Sequence, residues 1–365
     1  MGLFSEYKQV NKLLQQKKQV VFYAESRHYY QYFGRLIKDL LANNVNVCYI
    51  TSQAADPLLT TAPPGMQVIY VKWMLGFLFS RIRADVMIMT MPGLGNYLFK
   101  RSAGVGNYVY IFHAAVSTHQ QYRKEAFFKY DAIFCTGDYQ QKEIRRAEEL
   151  YKQKQKEIIR YGYPLLDELK KVTDNNAKPV IWVAPSWFEG CIFDSCIEEL
   201  LDQLSKLPYG VVLRFHPEYK KRKKKNFWRI RKMMETYPNM KMDDEPDVMK
   251  RMAGVDMLIT DRSGIAFEFA LGAGQPVLFI ETVLKQMNPH WKEMEIDPIE
   301  NSLRSELGVS LSTDKLELLP RKIEELQQLV NGFSHRMEAL KKNLFYNSDE
   351  SYRTGLDFVL NKISR

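Results

Sequence analysis

The chain has 365 residues, 45% hydrophobic and 26% charged, which is the make-up of a globular protein long enough for two domains. Lys and Arg outnumber Asp and Glu by 52 to 43, giving a net charge of +9. Charge density is ordinary but its sign is biased, so phosphorylated substrates, an anionic membrane surface and nucleic acid are all attracted. The four cysteines, Cys48, Cys135, Cys191 and Cys196, form no CxxC pair and lie at no zinc-ligand spacing. No metal site is expected from them, and reduced thiols in a cytosolic setting are.

From the amino terminus, MGLFSEYKQVNKLLQQKK has no apolar core of signal-peptide length. No apolar run reaches the ~18 residues of a membrane span, so the chain is expected to be neither secreted by that route nor integral. Apolar runs then alternate with helical patterns, predicting strands near 20–24, 45–51, 67–71, 85–89, 108–112, 132–135 and 158–161. This is the pattern of a parallel sheet covered on both faces. After the first run, Glu25, Ser26, Arg27 and His28 form a turn that either contacts an acceptor or caps a helix. The segment VKWMLGFLFSRIR, 71–83, has the make-up of an interfacial membrane helix, with Lys72, Arg81 and Arg83 toward headgroups, or of a buried helix. In YIFHAAVSTH, His113 directly follows a strand, where a neutral imidazole could take a proton from an acceptor hydroxyl. The alternative is a histidine capping the strand and bonded to a carbonyl; His119 is the reserve candidate.

The polar stretch VTDNNAKP, 172–179, breaks the rhythm and predicts the domain boundary: 1–174 for the first domain, 175–348 for the second, and 349–365 as a terminal helix packing back on the first. A second series of strands follows near 180–184, 210–215, 255–259 and 277–280, and a helical stretch runs through 315–342. GVVLRFHPEYKK places Arg214 and His216 at a strand's end, and the lysine cluster Lys220–Lys225 follows, by default a solvated face. The doublet Asp243 and Asp244 is assigned to helix capping, and His290 and His335 to the surface. VDMLITDRSGIAFEFALGAGQPVLFIE has the order strand, turn, helix, strand. Its turn, Thr260, Asp261, Arg262, Ser263 and Gly264, offers a hydroxyl, a fixed cation and free backbone N–H groups at a helix start, which suit a phosphate. Glu268 is placed to accept from ribose hydroxyls. An ordinary strand–helix–strand crossover with Asp261 or Ser263 as cap explains the same residues.

The sum is an α/β chain of two doubly wound Rossmann-like domains facing a cleft, the second binding a nucleotide diphosphate and the first an acceptor. Nucleic acid is the least favoured partner, because no reading helix or RNP-type aromatic motif accompanies the basic residues. YAESRHYYQYF, YIFHAAVSTH, KYDAIFCTGDYQ, YGYPLLDEL, VIWVAPSW, VLRFHPE and VDMLITDRSG, in that order, resemble the CDP-glycerol glycerophosphotransferases of teichoic acid and capsule synthesis. The resemblance implies a GT-B fold and a CDP-alcohol, CDP-glycerol or a relative, as donor. It also implies a lipid-linked or polymeric glycan acceptor, a peripheral enzyme at the cytoplasmic membrane face, and neither cofactor nor essential metal. His113 matches the family's base, His216 its RxHP histidine, and Thr260, Asp261, Ser263 and Glu268 its phosphate turn. This chain departs from the pattern in FHAAVSTH, which lacks Gly-Thr-Pro, and in Arg262 and Gly264 of TDRSG. The rival readings are a nucleotide-sugar glycosyltransferase or epimerase of the same architecture, and a membrane-associated binding protein without catalysis.

Overall fold

The structure is a computed structural model and describes residues 2–169, 179–245 and 247–364. Its strands are β1 Lys18–Ala24, β2 Val47–Thr51, β3 Met66–Tyr70, β4 Ala84–Met89, β5 Val105–Ile111, β6 Ala132–Cys135 and β7 Glu157–Arg160 in the first half. The second half has β8 Val180–Val183, β9 Gly210–Leu213, β10 Met240–Met242, β11 Met257–Thr260, β12 Val277–Glu281 and β13 Gly308–Ser312. They form two sheets, ordered β3-β2-β1-β4-β5-β6-β7 and β10-β9-β8-β11-β12-β13. Every pairing is parallel, with Val20 opposite Val47 on one side of β1 and Val86 on the other. Strands covered on both faces have no polar side to show, which is why VVFYA and VMIM read as unbroken apolar runs and are wholly buried.

In each sheet the chain starts in the middle, winds to one edge, and returns to wind to the other. The reversals fall between β1 and β4 and between β8 and β11. Clefts at such reversals, beyond the carboxyl ends of the strands, are where open α/β sheets hold ligands.

Two edge strands, β10 and β13, had no strand expectation. MKM and GVSLS are half-exposed and lack the apolar run on which the other strands were found. The expected helix over 315–342 is divided into Leu319–Leu329 and Phe333–Leu344, with Gly332 at φ 72° between them. The expected boundary at 174/175 falls among residues outside the described ones.

The last helix, Arg353–Lys362, lies against the first sheet. Phe358 meets Phe134 edge-on at 5.5 Å, Lys362 pairs with Glu157 at 2.9 Å, and the Ser364 N–H donates to Asp85 at 3.0 Å. Gly355 makes this contact close: a Cβ there would stand 2.3 Å from the Tyr161 ring and 2.9 Å from Phe134. Gly355→Ala is therefore expected to overpack the seam and cost about 1–3 kcal/mol of stability, read as a lower denaturation midpoint in urea with unchanged slope.

Candidate active site

The carboxyl ends of β1, β4 and β5 in the first sheet and of β8, β9, β11 and β12 in the second meet across one cleft. The halves approach closely at Gly264, where a Cβ would sit 3.0 Å from Val116 and 3.8 Å from Ala114 in the loop after His113. The missing side chain at Gly264 thus admits the other domain, where the sequence suggested room for an anion.

His113 is half-buried among Tyr29, Tyr32 and Tyr122, and its Nδ1 lies 3.1 Å from the Thr90 carbonyl oxygen. A carbonyl can only accept, so Nδ1 carries the proton and Nε2 keeps its lone pair. His216, the residue before the helix Pro217–Arg222, is wired the other way: its Nδ1 accepts from the Glu218 N–H at 3.1 Å. Its proton therefore sits on Nε2, a donor. Burial, helped by the charges of His28 and Lys285, pushes the pKa of His113 down to about 4. Burial together with Lys285, His28 and His113 does the same to His216, also to about 4. Both rings are held neutral at pH 7, one as a base and one as a hydrogen-bond donor.

These mutual influences place His28, His113, His216 and Lys285 in one electrostatic neighbourhood spanning both domains. His28 and Glu25 touch solvent yet are walled by protein, as groups on the side of a cleft are. Burial and the Arg214 charge lower the pKa of His28, while burial and the Glu218 carboxylate raise that of Glu25. Lys221, at the start of the lysine cluster, acts on Glu25 as well, so the cluster borders the cleft. Ser26 and Arg27 lie on the same turn; the Arg27 N–H donates to Gln53 at 2.8 Å, and neither residue's side chain caps the short helix that follows.

Lys285 carried no expectation. It follows β12, in a loop pinned to the first domain by the Met287 N–H donating to the Gln120 carbonyl at 2.9 Å and the Asn288 amide donating to the His119 carbonyl at 2.9 Å. Burial lowers its pKa, against the attraction of Asp261 and Glu300. The strand-end rule that singled out Arg214 and Asp261 applies equally to ETVLK and would have found it.

Most of the expected phosphate-turn residues are committed to the fold. The Thr260 hydroxyl donates to the Ala184 carbonyl at 2.7 Å. Asp261, fully buried, accepts from the N–H groups of Ser186, Ile192 and Arg262 at 2.9, 3.1 and 2.7 Å. Arg262 pairs with Glu281 at 2.8 Å, which Arg304 also holds at 2.8 Å. Arg214 is tied to Asp243 at 2.8 Å and to the Glu245 carbonyl at 2.9 Å. Asp243 is thus no cap: it is a buried hub for Arg214 and Arg251, and Asp247 caps the next helix instead. Ser263 is half-exposed, and no side-chain hydrogen bond ties it down among the described residues.

His119 departs from the acceptor-side expectation. It is 5% exposed, Nε2 lies 2.9 Å from the Ile296 carbonyl and Nδ1 3.3 Å from Glu143, so it joins the halves as a strut. It lines a cavity of about 30 Å³, room for a water and not for a nucleotide. Among the described residues no cluster of His, Cys, Asp or Glu has metal-binding geometry, and all four cysteines are free and buried.

Glu268 does not stand open to a ribose: the Tyr163 hydroxyl donates to it at 2.5 Å, and Tyr32 lies beside both. Burial raises its pKa to about 7, against that hydrogen bond. Because this folded-state pKa exceeds the ordinary one, the contribution of Glu268 to stability is fully present below about pH 4.5 and is lost as pH rises to about 7. Glu268→Gln removes the titration, so its melting temperature minus that of the wild type should climb from pH 4.5 to 7 and then level off. A difference flat across that range would disprove the assignment.

The model of the CDP-glycerol:poly(glycerophosphate) glycerophosphotransferase family matches residues 6–302. No curated protein matches the chain in sequence. Among solved structures, the wall teichoic acid polymerase TagF, soaked with CDPG, is similar at 14% identity and a TM-score of 0.60, over 99% of this chain and 94% of that one. MnaA of S. aureus, solved with UDP, is similar at 13% identity and TM-score 0.61, over 95% of this chain and 98% of that one. A UDP-GlcNAc 2-epimerase from Methanocaldococcus jannaschii, in complex with UDP-GlcNAc and UDP, gives 12% and 0.57, over 94% and 100%. At such identities these likenesses speak for the fold alone, which is GT-B.

Proposed function

Since the chain belongs to the CDP-glycerol:poly(glycerophosphate) glycerophosphotransferase family and is a transferase, we propose that it moves glycerol phosphate, or a related polyol phosphate, from a CDP-alcohol to a hydroxyl of a lipid-linked or polymeric glycan at the cytoplasmic membrane face, releasing CMP. The observation that carries this reading is the opposite wiring of the two histidines. His113 Nε2 takes the proton of the acceptor hydroxyl as its oxygen attacks the phosphorus bearing the glycerol unit. The bond from that phosphorus to the CMP oxygen breaks, and the electron pair leaves with CMP. His216 Nε2–H and the Lys285 ammonium receive the growing charge on the leaving phosphate. Ser263 and the backbone of the turn position the pyrophosphate, and Asp261 and Thr260 act through that turn. Glu25, Ser26, Arg27 and His28 line the acceptor side.

CMP release from CDP-glycerol in the presence of acceptor tests the scheme. His113→Ala should lose at least the ~10²-fold that general-base catalysis typically supplies. Lys285→Met should lower kcat more than it raises KM, because its charge is needed most as the leaving phosphate develops. UDP release from UDP-sugars, with CDP-glycerol inert, would replace this reading by sugar transfer.

The acid limb follows from the same wiring. With His113 at about 4 in the free enzyme, kcat/KM should hold level below pH 6.5 and fall only toward pH 4. A fall centred near 6.5 would show that the base is a histidine with an unshifted pKa.

A further inference from the structure

Seven of the large hydrophobic side chains exposed on this protein come from three separate segments that the fold brings together. Leu3 (62% exposed), Phe4 (71%) and Tyr7 (51%) stand on the outer face of the first helix, Leu3–Leu14, whose inner face buries Glu6, Val10 and Leu13. Trp73 (71%) and Phe77 (36%) belong to the segment leading into and along the helix Leu75–Arg81, and Tyr97 (87%) and Leu98 (53%) to the loop after β4. The buried Glu6 carboxylate accepts from the N–H groups of Lys72 and Met74 at 3.0 and 2.7 Å, which locks the first helix to the second segment. A Cβ on Gly76 would stand 3.6 Å from the Leu98 carbonyl, which places the third segment beside the second. Asn96 accepts from the N–H groups of Leu98 and Phe99, both at 2.9 Å, so the loop tip is fixed in shape.

The charges on these segments have one sign. Residues 2–14, 71–83 and 91–101 contain a single acid, Glu6, and it is buried, against Lys8, Lys12, Lys72, Arg81, Arg83 and Lys100, with Arg101 neutralised by Asp131 at 2.8 Å. Three of the cations lie over the exposed rings: Lys8 over Phe4 at 4.5 Å, Lys72 over Trp73 at 5.5 Å and Arg81 over Phe77 at 4.2 Å. Aromatic rings backed by cations suit the boundary between lipid chains and anionic headgroups. A second copy of the chain would bring the same positive patch against itself, and the repulsion disfavours that occupant. Position agrees: Trp73 follows β3 and Tyr97 follows β4, so the patch rims the carboxyl end of the first sheet, the end that His28 and His113 occupy.

We propose that this patch docks the protein on an anionic membrane, with the first domain's side of the cleft facing the lipid. This choice of partner rests on the lipid-linked acceptor proposed above; the surface itself rests on exposure and charge. A peripheral patch of this kind holds reversibly and leaves the second domain free of the bilayer.

The test is sedimentation of the full chain with vesicles of phosphatidylglycerol and phosphatidylcholine, and with phosphatidylcholine alone. The double variant Phe4→Ser, Trp73→Ser should partition at least about tenfold less onto the anionic vesicles. The triple variant Lys8→Gln, Lys72→Gln, Arg81→Gln should lose roughly fivefold per cation at low salt, on anionic vesicles alone. The control pair Lys224→Gln, Lys225→Gln in the lysine cluster should bind like wild type. If the double variant fails to fold, Trp73→Phe serves: quenching of tryptophan fluorescence by brominated acyl chains should disappear with Trp73. Unchanged partitioning of the aromatic variant, loss of binding in the control pair, or a wild-type dimer that the aromatic variant dissolves would each overturn the proposal. CMP release onto a water-soluble acceptor should be unaffected by the patch variants. A wild type that binds vesicles but releases no CMP would refute the transferase chemistry and leave the surface standing.

Discussion

Asp261 is the residue on which the geometry of the cleft depends. A carboxylate with no exposed surface is costly to bury, and what offsets the cost here is three backbone N–H donors, from Ser186, Ile192 and Arg262. Those donors belong to the loop after β8 and to the turn after β11, the two strands that flank the reversal of the second sheet. One side chain therefore fixes both lips of the crevice. Its carbonyl is held by Arg304 at 3.2 Å, and Arg304 in turn shares Glu281 with Arg262, so the brace continues to the end of β12 and the loop that carries Lys285.

A second brace stands under His216. Arg214, two residues earlier, is pinned to Asp243, which also takes Arg251 at 2.9 Å and the Trp182 indole at 3.1 Å. Burial alone would raise the pKa of Asp243, but the two guanidinium groups outweigh it and hold the carboxyl below its ordinary value. A buried pair of this kind adds little net stability. Its consequence is orientation, because the end of β9 cannot swing without uncovering a charge, and His216 leaves that end at a fixed angle. Across the cleft the Thr90 carbonyl does the equivalent for His113 by choosing its tautomer. Neither histidine's role can be read from its residue type; each follows from what its Nδ1 meets.

How much of this was legible in the sequence depends on whether the signal was local. Among the described residues, eleven of the thirteen strands were read from their apolar runs, which burial on both faces explains for the interior strands, while the edge strand β7 was read from the Ile158–Ile159 pair despite its half-exposed faces. β10 and β13 sit at edges, are half-solvated and carry no such run. The strand-end residues His113, His216 and Arg214 were legible for the same topological reason. What those groups bond to was not, because the partners are far along the chain: Asp243 lies 29 residues from Arg214, and Tyr163 lies 105 residues from Glu268. Asp243 beside Asp244 and ahead of a helix looks like a cap until Arg214 is brought to it. His119, at the start of a helix near a strand's end, looks like a reserve for the base until the Ile296 carbonyl of the second domain is brought to it. Thr260 and Asp261 look like ligands because a turn at a strand's end is where ligands bind, and only the fold shows that their polar atoms are already spent.

The assembled cleft has an electrostatic logic of its own. It brings His28, His113, His216 and Lys285 together, and Arg214 acts on His28 while already paired with Asp243. Cations crowded in a protein-walled cleft disfavour one another, so the pKa values of the imidazoles and of Lys285 are pushed down toward their neutral forms. In the proposed scheme an incoming pyrophosphate would supply negative charge there, favour the protonated lysine and strengthen the bond from His216. In the same scheme His113, its Nδ1 tied to the Thr90 carbonyl, keeps the lone pair on Nε2. The proposed scheme depends on this separation of the two histidines between domains, by which one anion would polarise His216 without protonating His113.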